Sequence, residues 1–322
     1  MTAKVESNQI TLTRIYDAPL QAVWEAWTVP EEVAQWWGPR GFTLTTHSRD
    51  LRTGGHWHYT MHGPDGTDYE NTTQYLEVVP EQPHQKRMVY DHGGHQDRPP
   101  LFRVTALFTE REGRTQLDLC MAFATPEVAK EMSGFIKKAG GEGTWDRLAE
   151  HLAKRCAGKE LFVIARSFDA EIEQVYEMWT DPAALAQWLP PTGATMHFIR
   201  ALPHVGGSSF YAMTTADGQT MHGLIKYVAL VKPHRIVYTQ QFCDDQENVI
   251  RPPFFKDWPQ TMLTTVELAS EGPDRTRVTL RWEPLGGTTP ADIAEFVQQR
   301  GSMTMGWTGS FDKLEAVLGE PA

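Results

Sequence analysis

The sequence predicts two tandem α+β domains, each a curved antiparallel sheet wrapped on a long C-terminal helix with two short helices. Three observations predict this: chain length, an internal repeat, and the order of strand-like and helix-like periodicities within each repeat. At about 150 residues per domain, a chain of 322 residues divides naturally into two. The repeat is read from uncommon residues. Arg14-Ile15-Tyr16-Asp17-Ala18 returns as Arg166-Ser167-Phe168-Asp169-Ala170, an offset of 152 positions (14 to 166). The same offset carries Trp24 onto Tyr176, Trp27 onto Trp179, Trp36 onto Trp188, Gly54-Gly55 onto Gly206-Gly207 and Tyr75 onto Tyr227. It then slips to 148 (90 to 238), placing Val89-Tyr90 on Val237-Tyr238, as a loop of different length would require. The period is too long for a solenoid unit. The domains are placed at 1–154 and 159–322, with residues 155–158 as a short linker.

Within the first repeat, Ile10 to Tyr16 is rich in β-branched residues and reads as a strand. Leu20, Val23, Trp24 and Trp27 then follow the i, i+3, i+4, i+7 pattern of one helix face, with Asp17 as its expected N-cap. Thr28 and Glu31 have capping-box spacing around Pro30 and open a second short helix carrying Val33, Trp36 and Trp37. Ile172, Val175, Tyr176 and Trp179, then Leu185, Trp188 and Leu189, repeat the design. Strand-like runs punctuated by Gly-Gly and Asp-Gly follow, among them Leu117, Leu119, Met121, Phe123 and Val278, Leu280, Trp282. Helical sequence closes each repeat. Val128, Met132, Phe135, Ile136 and Ala139 form one stripe, which Trp145, Leu148 and Leu152 continue after Gly140-Gly141. In the second repeat Ile293, Phe296 and Val297 precede Trp307, Phe311, Leu314 and Leu318.

Composition narrows the function. Thirty Lys and Arg against 41 Asp and Glu give a formal net charge of −11, which argues against a nucleic-acid partner and against docking on anionic lipid. No apolar run approaches the length of a membrane span, and the first residues lack the apolar run of a secretory signal. Three scattered cysteines, Cys120, Cys156 and Cys243, fit a reduced, cytoplasmic setting and neither a disulfide framework nor a cysteine zinc site.

A sheet with one apolar face needs a cover, and a long helix lying across a concave sheet leaves a gap that aromatic side chains line. The expected lining residues sit on inner strand positions and the closing helices: Tyr59, Tyr75, Tyr90, Met121, Phe123 and Trp145 in the first repeat, and Tyr211, Tyr227, Tyr238, Trp282, Trp307 and Phe311 in the second. Rings with a polar tip suit a mostly apolar cavity that orients its ligand by a few hydrogen bonds. Trp27, Trp36, Trp37, Trp179 and Trp188 read instead as core. His56, His58 and His62 share a strand, and His92-Gly93-Gly94-His95 lies in a Gly-rich loop. The second repeat has Ser208 and Phe210 at the first two of these positions, and no metal and no cofactor are expected. Arg14 and Arg166 occupy matching strand positions and read as structural ion-pair partners, with an anion anchor as the alternative. No nucleophile elbow, P-loop, dinucleotide fingerprint or H-E-x-x-H is present. Glu70 and His222 are the candidate acid–base groups. Two loops, Asp91 to Pro100 and Cys243 to Pro259, share an Arg-Pro-Pro (98–100 and 251–253), and the second adds Phe254, Phe255 and Trp258, as a lid or a contact surface would.

Asp17-Ala18-Pro19, Val23-Trp24, Ala26-Trp27-Thr28, Gln35-Trp36-Trp37-Gly38-Pro39 and Gly41-Phe42 resemble the opening signature of the activator of heat-shock-protein-90 ATPase homologue family. That family lies in the START-like, birch-pollen-allergen-like (SRPBCC) superfamily. The resemblance runs over nearly the whole chain, once per half, with departures at Leu189-Pro190-Pro191 and Glu171. It implies a helix-grip fold in each half, which agrees with the element order above. The function expected is non-catalytic binding of a small, largely hydrophobic ligand. The alternatives are co-chaperone-like interaction with a chaperone partner and a cyclase- or hydrolase-type enzyme acting in the pocket.

Overall fold

The computed structural model describes residues 4–6, 8–93, 99–138, 142–157, 160–252 and 254–319. The chain divides into two compact units between residues 156 and 157. The first unit runs β1 (Lys4–Glu6), β2 (Gln9–Tyr16), α1 (Leu20–Thr28), α2 (Pro30–Trp36), β3 (Thr43–Arg49), β4 (His56–His62), β5 (Asp68–Val79), β6 (Gln85–His92), β7 (Phe102–Arg111), β8 (Arg114–Ala122), α3 (Pro126–Lys138) and α4 (Glu142–Ala157). The second runs β9 (Phe162–Phe168), α5 (Ile172–Thr180), α6 (Pro182–Trp188), β10 (Thr195–Arg200), β11 (Ser208–Thr214), β12 (Thr220–Val231), β13 (Arg235–Cys243), β14 (Met262–Gly272), β15 (Arg275–Pro284), α7 (Pro290–Gln298) and α8 (Arg300–Gly319).

Each unit holds one antiparallel sheet, in the order β1-β2-β8-β7-β6-β5-β4-β3 in the first and β10-β11-β12-β13-β14-β15-β9 in the second. The strand that opens each unit pairs with the unit's last strand, Leu12 opposite Leu119 and Ile164 opposite Leu280. Period-two alternation sets the faces: Ile10, Leu12 and Tyr16 are buried while Gln9, Thr11 and Thr13 are exposed. Register slips recur at equivalent places, between Thr46 and Ser48 and between Phe198 and Arg200 near one edge, and between Tyr75 and Glu77 and between Tyr227 and Ala229 nearer the middle. An extra residue in one strand bends it and sharpens the twist. Both sheets thus acquire their curvature at the same points.

The helices differ from the expectation in four details. Pro30, pre-set for a first helical turn, makes Val29 the N-cap of α2, so Thr28 stays in α1 and its hydroxyl donates to the Trp24 carbonyl (2.7 Å). No capping box forms there. Asp17 does not cap α1 either; Pro19 occupies that position without a side-chain bond. Each unit closes with two helices, α3 and α4 or α7 and α8, where one long helix is the prediction. In the second unit a Thr289–Asp292 capping box starts α7 ahead of the long helix. Helix α4 continues to Ala157, so residues 155–157, expected as linker, are its last turn. Ala139, Gly140, Gly141, Gly158 and Lys159 lie outside the described residues.

The last helix is tied to the segment after the short helices. Arg147 on α4 donates to the carbonyls of Gly38 (2.9 Å), Pro39 (2.8 Å) and Gln35 (3.1 Å). On α8, Ser310 donates to the Leu189 carbonyl (2.8 Å) and Lys313 to that of Pro190. Inside each bracket the two short helices are pinned by one indole: Trp36 Nε1 donates to the Ala26 carbonyl and Trp188 Nε1 to that of Met178, both at 2.9 Å. These ties fix the helices over the inner face of each sheet. No described helix is long and apolar enough to cross a membrane.

Candidate ligand site

Alternation along β4, β5 and β6 puts Trp57, Tyr59, Thr73, Tyr75, Met88 and Tyr90 on the face under the helices. Between that face and the helices of the first unit lies a cavity of about 10 Å³ lined by Trp27, Trp37, Arg49, Trp57, Thr73, Tyr75, Met88 and Tyr90. That is room for about one water.

The predicted lining residues fall in three places. Tyr75 and Tyr90 line the cavity, their rings edge-on at 6.4 Å. Tyr59 lies against it, stacked on Trp57 (4.0 Å between centroids) and accepting the Trp37 indole N–H (3.4 Å). Trp145 stacks on Trp27 (5.9 Å, 13°). Met121 and Phe123 pack in a separate cluster with Ile10, Phe102 and Ala129. In the second unit Tyr211, Tyr227, Tyr238, Trp307 and Phe311 belong to one buried core that includes Trp179, with Trp282 packed on it. There Trp307 stacks on Trp179 (6.0 Å, 21°), and Tyr227 and Tyr238 meet edge-on at the same 6.4 Å as their counterparts. Trp27 and Trp37, which pattern alone assigns to the core, contribute to the cavity wall.

Burial pushes up the hydroxyl pKa of Tyr59, Tyr75 and Tyr90, and of Tyr227 and Tyr238; it carries that of Tyr211 to about 12. These phenols stay neutral at physiological pH, as donors and acceptors. Among the described residues, Trp27 Nε1 is buried with no acceptor, and so is Trp179 Nε1, its counterpart at the 152 offset. Trp282 Nε1 is a third such donor.

Sequence reasoning passed over Arg49. Its half-buried guanidinium donates from Nε to the Tyr75 hydroxyl (3.0 Å), from Nη1 to the Thr28 carbonyl (3.3 Å) and from Nη2 to the Trp27 carbonyl (2.7 Å). It lies over the Trp57 ring at 4.5 Å. The signal that finds it is a departure between the repeats: at the 152 offset, Ala201 stands where the first unit has Arg49, and Ser209 where it has Trp57. Ser209 takes over the bond to the tyrosine, 3.2 Å from the Tyr227 hydroxyl. Gln240 in turn donates to the Tyr211 hydroxyl (3.0 Å).

The remaining candidates face elsewhere. Glu70 and His222 sit on the outer faces of β5 and β12; Glu70 is highly exposed, 3.9 Å from His58, and His222 stacks on Phe210 (5.5 Å). Neither meets the aromatic interior. His56 and His58 share that outer face. His62 there bonds Asp68 (2.6 Å), and among the described residues no group of three or more His, Cys, Asp or Glu is placed to hold a metal. Arg166 pairs with Asp312 (2.6 Å) and Glu315 (3.0 Å) on the closing helix, while Arg14 is buried and donates to the Thr13 carbonyl. In the loop after β13, Phe255 stacks on Trp258, which packs on Phe296 of α7, and Arg251 pairs with Asp292, leaving Phe254 exposed. Gly94, His95, Arg98 and Pro253 lie outside the described residues.

Comparison with known proteins gives one family twice. The family described as Activator of Hsp90 ATPase homolog 1-like protein matches at residues 17–153 and again at 169–319. A solved protein from Chromobacterium violaceum is 26% identical, over 50% of this chain and 98% of its own, with a TM-score of 0.40. One from Nitrosomonas europaea is 24% identical over 46% of this chain and 96% of its own (TM-score 0.41). The di-domain ARO/CYC protein BexL from the BE-7585A biosynthetic pathway is 15% identical, over 98% of this chain and 99% of its own (TM-score 0.36). No curated protein matches this chain.

Proposed function

Because the chain belongs in both halves to the Activator of Hsp90 ATPase homolog 1-like family, we propose that its aromatic interiors are binding sites for small, largely apolar ligands. One observation carries the reading. Among the described residues, the same indole N–H is left buried without an acceptor in both halves, at Trp27 and Trp179. An orphaned buried donor costs about 1–3 kcal/mol, and a neighbouring ring face repays little of that. A ligand oxygen entering beside the ring would satisfy it. The surrounding neutral tyrosines supply both donors and acceptors for such a group.

Size adds a requirement. A pocket enclosing a whole ligand takes about 300–1,000 Å³, against about 10 Å³ in the first unit. Binding of a whole ligand at this cavity therefore needs lining side chains to swing outward, and unbranched Met88 is the one that repacks most easily. Catalysis has no support from the candidate acid–base groups, since Glu70 and His222 face away from the interior.

Native mass spectrometry of protein purified from its own cells tests the reading directly, with solvent extraction to identify what travels with it. One or two small apolar molecules per chain are expected. A chain that carries none, and that binds no 2-naphthamide up to millimolar concentration by calorimetry, would overturn the proposal.

A further inference from the structure

We infer that the two interiors select ligands of different charge: the first takes an aromatic carboxylate anchored on Arg49, and the second takes a neutral ligand. The inference deepens the binding role proposed above and rests on it. Arg49 uses three of its five N–H groups, on Tyr75, Thr28 and Trp27, and two remain. Among the described residues it has no carboxylate partner, although the same guanidinium lines the cavity wall.

The plain alternative is that Arg49 closes the C-terminal end of α1, where a cation is favourable against the helix dipole. The second unit argues against that being its whole purpose. Helix α5 ends at Thr180 in the same geometry, with a C-cap at φ −81°, ψ 120° against −80°, 124° for α1, yet Ala201 stands at the place of Arg49 and the cation at its last turn, Lys232, bonds the Glu177 side chain (3.3 Å). The fold therefore closes this helix end without an arginine.

What changes with Arg49 is the polar character of the interior. In the first unit the Tyr75 hydroxyl accepts from a guanidinium held over Trp57; in the second its counterpart Tyr227 meets a serine hydroxyl. A guanidinium with an N–H group left on each terminal nitrogen can donate to a carboxylate, and such charge-assisted bonds are the strong ones. The rings around it suit an aromatic body.

The test compares 2-naphthoate with its neutral isostere 2-naphthamide on the full chain, by calorimetry, in wild type and in Arg49→Gln and Arg49→Ala. Arg49→Ala is the residue the second unit already tolerates at this place, which guards against a variant that fails to fold. Naphthoate is expected to bind at one site per chain and to lose about tenfold or more in affinity in both variants. Naphthamide affinity is expected to stay within about twofold. If both compounds bind wild type and the variants shift them equally, the charge division is wrong while ligand binding stands. If neither binds wild type, the binding reading fails and takes this inference with it.

Discussion

His92, at the end of β6, stacks on Phe102 at 4.8 Å, and burial lowers its pKa to about 4. An unfolded histidine titrates near 6.5. Between those values the unfolded chain takes up a proton that the folded chain refuses. The stability His92 confers is complete above about pH 6.5 and is lost progressively as the pH falls toward 4. At pH 5 the loss is about 2 kcal/mol. The second unit has Gln240 at the matching place (offset 148), so His92→Gln is the natural control. Urea unfolding at pH 7 and pH 5 should show wild type losing about 2 kcal/mol more than the variant; equal losses would refute the assignment. Gly223 gives a second prediction. A Cβ there would lie 2.2–2.7 Å from atoms of the Tyr211 ring, which lies over the strand at that point. Gly223→Ala should destabilise the second unit by about 1–3 kcal/mol through overpacking and release Tyr211 from Gln240. Thermal unfolding measures the cost. The sequence marks His92 only as a loop histidine and Gly223 not at all, because both effects come from a ring brought in by another strand. Arg49 was obscured differently: it stands in Ser48-Arg49-Asp50-Leu51-Arg52, a polar stretch that reads as surface, and only its replacement by Ala201 in the other repeat marks it out.

Elements whose boundaries follow from fixed backbone chemistry were legible, and those that depend on a competing partner were not. The inner and outer faces of β4 and β5 follow from alternation alone, which is why Tyr59 and Tyr75 could be placed inward and the histidines together. The capping box at Thr28 and Glu31 failed because Pro30 moves the helix start and Thr28 finds its acceptor in the preceding turn. The two short-helix starts now make a matched experiment. Asp181 caps α6 by accepting from Ala183 N (2.7 Å) and Ala184 N (3.0 Å), while α2 has exposed Val29 at the same place with nearly the same dihedral angles. Asp181→Ala should lower stability by about 1 kcal/mol, and Val29→Asp should raise it by a similar amount. Chemical denaturation of the two variants checks both signs; a stabilised Asp181→Ala would contradict the cap.

At the scale of the molecule, the repeat means that each structural solution is present twice and can be tested against itself. The duplication was legible because tryptophans and glycine pairs are rare enough to fix an offset. The small size of the cavity at Arg49 and Tyr75 was not, since it depends on how neighbouring rings settle together. Trp36 and Trp188 are the clearest duplicated device: each is fully buried, and each indole reaches back ten residues to a carbonyl of the preceding helix at 2.9 Å. Replacing either by Phe removes that bond, strands the carbonyl of Ala26 or Met178, and leaves part of the indole volume empty. The lost bond and the cavity together should cost about 2–3 kcal/mol at each site. Each tryptophan sits in the buried core of its own unit, and the indole bonds share no partner. Sites in separate cores without common partners add to within about 0.5 kcal/mol. The Trp36→Phe, Trp188→Phe double variant should therefore lose the sum of the single losses. A coupling above about 1 kcal/mol in the double-mutant cycle would show that the two cores do not behave as separate copies of one design.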